Sequence, residues 1–376
     1  MRFSCTQENL KAALSLIGHI ASRQGSLPIL SNVLMRADAK AVTLVTTNLE
    51  IAMTYHLRGK VEADGSVTTN AKLLGDVVNL LPRDRVDVEA TATELKLQCR
   101  GSATKVRGMD AAEFPLVPVV ERSQAVRVDA VVFRDALAQV AFAAATGSTR
   151  PELSGVLWRF DGATATIAAT DSYRLAERTI ALTACGVPKG TAIIVPLRTV
   201  QELLRVLGAP PEDDQPTELT LVPTQSQLLA VVGNLEVVSR LVDATYPDYA
   251  QILPRTWQTR VRVGRSELQT AVRAASLFSR TGVNDVHLRC LSKEGQLIIR
   301  SENAQLGEHQ AAIDAEVEGD TVETVLNARY LLDGLAVTPG DRVAIELNGA
   351  TAPVALRTAE AQEENQYLYI IMPIKQ

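Results

Sequence analysis

Aromatic side chains are scarce, at 4 % of 376 residues, which leaves too few to build a platform on which successive bases of a single strand could stack. The four cysteines, Cys5, Cys99, Cys185 and Cys290, stand far apart with no C-x-x-C pair. Such spacing fits isolated thiols in a reducing compartment and argues against a disulfide framework or a cysteine zinc site. His19, His56, His287 and His309 are equally dispersed, with no H-E-x-x-H, so no metal and no cofactor is expected. Purely apolar runs stop after a few residues, as at 192–196, far short of the roughly 20 that span a bilayer. The opening Met1-Arg-Phe-Ser-Cys lacks the apolar stretch of a secretory signal. The expectation is a soluble, cytoplasmic chain. Nucleotide-binding and nucleophile signatures (G-x-x-x-x-G-K-[ST], G-x-S-x-G, G-x-G-x-x-G) are missing as well.

What is present is a well-mixed globular composition, 46 % hydrophobic and 22 % charged, long enough for two to three domains. Lys plus Arg number 38 against 43 Asp plus Glu, a net charge of −5. A protein that gripped DNA with its whole surface would be basic. If this one handles nucleic acid, its positive charge must be gathered on one face.

The chain repeats itself three times. A short alternating strand, a polar turn and an amphipathic helix open at residue 1, again at 125 and again at 259. Leu10, Phe133 and Leu268 correspond, as do Leu14, Leu137 and Val272. Ser31-Asn-Val-Leu-Met35 answers Ser154-Gly-Val-Leu-Trp158, and Thr47-Asn48 answers Thr170-Asp171, both at an offset of 123; the third copy supplies 286–289 and 301–303. A second helix recurs over 70–81, 196–207 and 327–335, stopped by Pro82 and Gly208 in the first two copies. Phe114-Pro115 and Tyr246-Pro247 mark the matching exits, and antiparallel strands meander between the helices. The fold class is therefore α+β, with three tandem domains over 1–123, 124–256 and 257–376.

Cations recur on these helices. Arg265, Gln269, Arg273, Ser276 and Arg280 form one expected stripe with no acid, while Arg198 and Arg205 share a face of the middle repeat's second helix. Lys72, Arg198 and Arg329 occupy equivalent places near a helix start, where a cation opposes the macrodipole and so serves something other than helix stability. Phosphate contacts would account for them, giving sequence-independent, salt-sensitive affinity. No catalytic constellation stands out. Asp213-Asp214 lies in a Pro-rich polar loop, and Asp171 sits where Asn48 does, as a turn-forming Asx residue. The enzymatic alternative would be a nucleotide-processing site built on Asp171 and Arg174.

Several strings, taken in order from end to end, resemble the bacterial β sliding clamp family, the processivity subunits of DNA polymerase III. They are Ser26-Leu-Pro-Ile-Leu-Ser-Asn-Val-Leu34, Ala168-Ala-Thr-Asp-Ser-Tyr-Arg-Leu-Ala176, Tyr246-Pro-Asp-Tyr249, Asn327-Ala-Arg-Tyr330 and Tyr369-Ile-Ile-Met-Pro-Ile-Lys375. The resemblance implies three like domains per chain, a head-to-tail homodimer closing a six-domain ring around double-stranded DNA, and no catalysis. Twelve helices at roughly 9–10 Å spacing would line a hole of about 26 Å. It also implies a pocket for short linear peptides from the polymerase III alpha subunit, clamp-loader subunits, translesion polymerases and mismatch-repair proteins. Matching positions are Leu153, Thr170, Ser172, Tyr173, Arg174, Leu175, Pro247, Ile252, Asn327, Tyr330, Ile370, Ile371, Met372, Pro373 and Ile374. Ser172-Tyr173 stands where the family more often has Gly-His, and Gln251 where an arginine is common, which leaves the motif preference open. Matching DNA-facing positions are Arg23, Gln24 and Arg150, beside the helix cations Lys72, Arg198, Arg205, Arg265, Arg273 and Arg280. For ring closure the candidates are Lys105, Val106 and Arg107 in the first domain and Leu277 and Phe278 in the third.

Overall fold

The structure is a computed structural model, and it describes residues 1–21, 27–39, 41–147, 149–209, 218–359 and 366–375. Among these, six α-helices and 27 strands alternate in an order that repeats. Each repeat opens with a strand running straight into a helix: Arg2–Thr6 into α1 (Gln7–Ile17), Val126–Asp129 into α3 (Ala130–Val140), and Thr259–Gly264 into α5 (Arg265–Ser276). The second helices are α2 (Ala71–Leu80), α4 (Leu197–Leu207) and α6 (Ala328–Val337).

Local chemistry explains these boundaries. Thr6 Oγ1 accepts the Asn9 N–H at the start of α1, and Asn70 and Asn327 do the same for α2 and α6. The corresponding core positions Leu10, Phe133 and Leu268 are all fully buried, as are Leu137 and Val272, with Leu14 nearly so. On α5 the buried set is Leu268, Ala271, Val272 and Ala275, the i, i+3, i+4, i+7 stripe of an amphipathic helix. In the middle repeat Phe133 meets Trp158 edge to face at 5.0 Å between ring centroids.

By proximity the chain divides into two compact units. One comprises Met1–Ala130, Thr183–Val187 and Arg205–Leu241, the other Val131–Leu182, Pro188–Leu204 and Val242–Gln376. The first holds a 14-stranded antiparallel sheet in which strand Leu235–Arg240 of the middle repeat pairs with Ile51–Leu57 of the first, placing Val238 opposite Ala52. The second holds a nine-stranded sheet, in which Arg174–Ala181 pairs with Tyr367–Ile371 and Leu175 lies opposite Ile370, and a separate four-stranded sheet. Two consecutive repeats are thus joined by the same device, one strand against another.

A close approach ties α6 to the second sheet. A methyl group added at Gly334 would run into the Tyr369 ring, so only glycine fits there. The Tyr369 hydroxyl then donates to the Tyr330 carbonyl at 2.8 Å.

Candidate functional site

The predicted peptide positions converge on the sheet junction of the second unit. Leu175 and Ile370, 1 % exposed each, form the floor together with Leu157, Ala168, Ile194, Tyr249 and Leu368. Beyond the strand ends the Met372 N–H donates to the Tyr173 carbonyl at 2.8 Å, extending the pairing by one step. There the exposure changes abruptly, to 64 % for Tyr173 and 37 % for Met372. A short 3-10 helix, Tyr249–Ile252, follows Pro247. It sets Tyr249 into the floor and leaves Ile252 48 % exposed. The Tyr249 hydroxyl donates to Glu177; burial, with that carboxylate adding to it, pushes the phenol well above its ordinary range. Apolar side chains are therefore presented to solvent beside a closed apolar floor.

The turn at Thr170–Arg174 builds one wall. Asp171 Oδ1 accepts the Tyr173 and Arg174 N–H groups at 2.9 and 3.0 Å, and Thr170 Oγ1 donates to the Arg174 carbonyl at 2.6 Å. Ser172 takes a φ of 79° and is exposed. Arg174 is the hub of the wall. Its guanidinium donates to Asp171 Oδ2, to Asp333 and to the Phe142 carbonyl, and lies 4.5 Å from the Tyr330 ring centroid and 5.4 Å from that of Phe142. Burial works against its charge, yet Tyr369, Asp333 and Asp171 outweigh that and hold it protonated. Arg174 thus braces the wall through contacts within its own chain, and Asp171 is spent on the turn and on Arg174.

Other expected positions divide. Asn327 caps α6 and donates to the Val283 carbonyl at 3.2 Å, and the Ile374 N–H reaches the Val325 carbonyl, fixing the tail beside Pro373. Leu153 and Thr170 are buried. Ile371 is buried as well, 1 % exposed, and strand alternation turns it with Tyr369 to the face opposite Ile370.

The helix cations are only partly as expected. Lys72, Arg198 and Arg329 are each the second residue of their helix and exposed, in α2, α4 and α6 alike. Arg273 is exposed on α5, and Arg265 sits at its start, half-buried. Arg280 does not belong to that stripe, because α5 ends at Ser276. Arg280 instead grips the buried Asp285 at 2.8 Å. Arg205 donates to the Leu16 carbonyl at the end of α1, and Arg150 donates to Ser172 at 2.8 Å and Glu152 at 3.0 Å. Arg23 and Gln24, like Asp213-Asp214, lie outside the described residues. Among the described residues no cluster of His, Cys, Asp and Glu could hold a metal ion, and no helix is long and apolar enough to cross a membrane.

Three family models match in order along the chain: the DNA polymerase III beta subunit N-terminal domain over 1–118, its central domain over 127–248 and its C-terminal domain over 250–375. The chain belongs to the DNA polymerase III beta subunit family, the beta sliding clamps. It is 29 % identical over 378 residues to the beta sliding clamp of Synechococcus elongatus and 26 % identical over 387 residues to that of Bacillus subtilis, covering all of this chain and at least 99 % of each relative. Solved structures agree. A DnaN sliding clamp from Pseudomonas aeruginosa bound to griselimycin superposes with a TM-score of 0.92 at 27 % identity, with full coverage of both chains. The Bacillus subtilis sliding clamp gives 0.92 at 26 %, covering all of this chain and 99 % of that one. This beta subunit is accordingly a three-domain α+β sliding clamp of DNA replication, a processivity factor and not an enzyme.

The clamp's candidate edges are also visible. Among the described residues, strand Ser102–Met109 pairs with Glu94–Cys99 on one side, and its other side meets a strand only at Gly108 and Met109. Val106 is 4 % exposed, while its neighbours Lys105 and Arg107 are exposed. In the third repeat Leu277 is 73 % exposed and Phe278 stacks on His309.

Sequence reasoning missed strand Gly307–Asp314, the outer strand of its sheet, beside which Leu306 is 63 % exposed. Asp333 was missed too, though its i+3 spacing from Tyr330 on α6 is a legible signal. Phe142 carried none.

Proposed function

We propose that this sliding clamp closes head to tail with a second copy into a ring around duplex DNA, and that the Leu175–Ile370 groove tethers polymerases to it through short linear peptides. The observation that carries ring closure is a pair of open strand edges, each on an eight-residue strand. Ser102–Met109 is open along residues 102–107 with Lys105 and Arg107 on it; Gly307–Asp314 is open with Glu308 and Asp314 on it. Backbone pairing of such edges leaves neither exposed to aggregation, and the opposite charges favour pairing between unlike ends. Leu277 and Leu306 add apolar surface beside the second edge.

Within such a ring an acidic protein holds DNA by topology, while Lys72, Arg198 and Arg329 supply weak, exchangeable phosphate contacts. The groove's exposed Tyr173, Ile252 and Met372 suit the apolar side chains of the polymerase III alpha subunit, clamp-loader subunits, translesion polymerases and mismatch-repair proteins, with methionine adapting to each. The domains take the bounds 1–123, 124–256 and 257–376, and the protein works in the cytoplasm at replication forks on the nucleoid. The test is retention on nicked circular DNA after loading. Stable retention that is lost on linearising the circle supports the ring; retention indifferent to linearisation would refute it.

A further inference from the structure

A second groove lies at the other sheet junction, wholly within the first unit. A cavity of about 320 Å³ opens there, lined by Leu49, Glu50, Pro115, Leu116, Val238 and Arg240 among others. Its construction follows the first groove step by step. Val238 lies opposite Ala52 as Ile370 lies opposite Leu175, and the Arg240 N–H donates to the Glu50 carbonyl at 3.0 Å as Met372 does to Tyr173. Leu49 has a φ of 75°, the counterpart of Ser172, and is 52 % exposed, while Leu116 is 96 % exposed. Below lie two apolar clusters, one holding Leu34, Val45 and Phe114, the other Val120, Leu229 and Val238.

The differences tell what could fit. Ile51 stands where the other wall has Arg174, so the side chain of Asn48 has no guanidinium to meet. Its Nδ2 is buried with no hydrogen-bond partner among the described residues. Glu50 and Arg240 are both exposed, and neither forms an ion pair among the described residues.

We propose that this groove binds an extended peptide segment of a partner protein, an apolar side chain flanked by a basic residue for Glu50 and an acidic residue for Arg240. The clamp then carries two peptide sites per chain of different charge preference. The cavity shares no lining residue with the Leu175–Ile370 groove, so either site can fail without the other.

The probe is a fluorescein-labelled peptide, Lys-Leu-Phe-Leu-Asp, titrated by anisotropy against the full chain. Glu50→Lys and Arg240→Glu should each weaken binding about tenfold, as for loss of one charge-assisted contact. The double swap should recover affinity for the charge-reversed peptide Asp-Leu-Phe-Leu-Lys, and the Arg240-dependent part of the binding should persist in Met372→Ala. Methyl NMR signals of Leu49, Leu116 and Val238 should move on addition of the first peptide. Absence of saturable binding would overturn the proposal. So would binding that Met372→Ala removes and Arg240→Glu leaves intact, since the probe would then occupy the first groove.

Discussion

Asn48 and Asp171 hold the same turn in successive repeats. Asn48 Oδ1 accepts the N–H groups of Glu50 and Ile51 at 3.0 and 2.8 Å, and Asp171 Oδ1 accepts those of Tyr173 and Arg174 at 2.9 and 3.0 Å. In the third repeat Asn303 accepts the Gln305 and Leu306 N–H groups at 3.0 and 3.3 Å. In the first two repeats the turn forces a side-chain-bearing residue, Leu49 or Ser172, into the left-handed region, which in general costs roughly 1–2 kcal/mol. The Asx hydrogen bonds offset that cost.

Replacing Asn48 by Ala should therefore destabilise the first unit by about 1–2 kcal/mol, since two backbone donors lose their acceptor. Asp171→Ala should cost more, because the partly buried Arg174 also loses a carboxylate partner. Urea unfolding of the two variants side by side checks both the sign and the order. Equal losses would mean that Asp171 contributes through its turn alone.

The turn was legible from sequence because Thr-Asn and Thr-Asp recur at a fixed offset, and so were the helices, whose apolar stripes and Asn caps are local signals. The groove floor was legible only through resemblance, since Leu175 and Ile370 lie 195 positions apart and strand pairing at that distance leaves no periodic trace. Helix length misled the reading of Arg280. The spacing continued past Ser276 on paper, while the chain turned there to let Arg280 reach Asp285. On a strand, period-two alternation hides every second residue, which is why Val106 is buried between exposed Lys105 and Arg107.

Gly334→Ala should destabilise the second unit by about 1–3 kcal/mol, the usual range for overpacking a close contact. On an ordinary helix the same change is stabilising, so the direction alone is informative. Thermal unfolding with Gly75→Ala on α2 as control checks it, because a methyl group at Gly75 would meet nothing within 4 Å.

Asp285 should make stability depend on acid. Burial raises its carboxyl, but the Arg280 side chain and N–H outweigh this and hold it below the ordinary aspartate range. A group depressed in the folded state contributes fully above its unfolded pKa, about 3.9, and loses that contribution as pH falls through the folded value. Asp285→Asn should then be less stable than the parent at neutral pH, with the gap closing only below about pH 4. Denaturation midpoints compared at pH 7 and pH 3 test this, and a gap of constant size would sink it.

Met372→Ala should weaken a polymerase-derived apolar peptide by roughly tenfold, the loss of part of one buried hydrophobic contact, and leave the oligomeric mass unchanged. Removing 372–376 should do the same more severely. Isothermal titration paired with sedimentation separates the two readouts. Parallel loss of both would move these residues from the groove to the subunit interface.

Lys72, Arg198 and Arg329 should act on DNA together and on topology not at all. Each is an exposed cation at the second position of its helix, where the macrodipole disfavours it, so removing all three should slightly stabilise the fold. If these cations meet phosphate as proposed, removing any one of them should flatten the salt dependence of transient DNA binding by close to one in the logarithmic slope. Retention on a closed circle should persist, because a ring needs no grip on phosphate to stay threaded. Fluorescence correlation on short duplexes across a salt series reads the slope, and gel filtration of clamps loaded on circles reads the retention. A triple alanine variant with an unaltered slope would place these cations on a face that duplex DNA never meets.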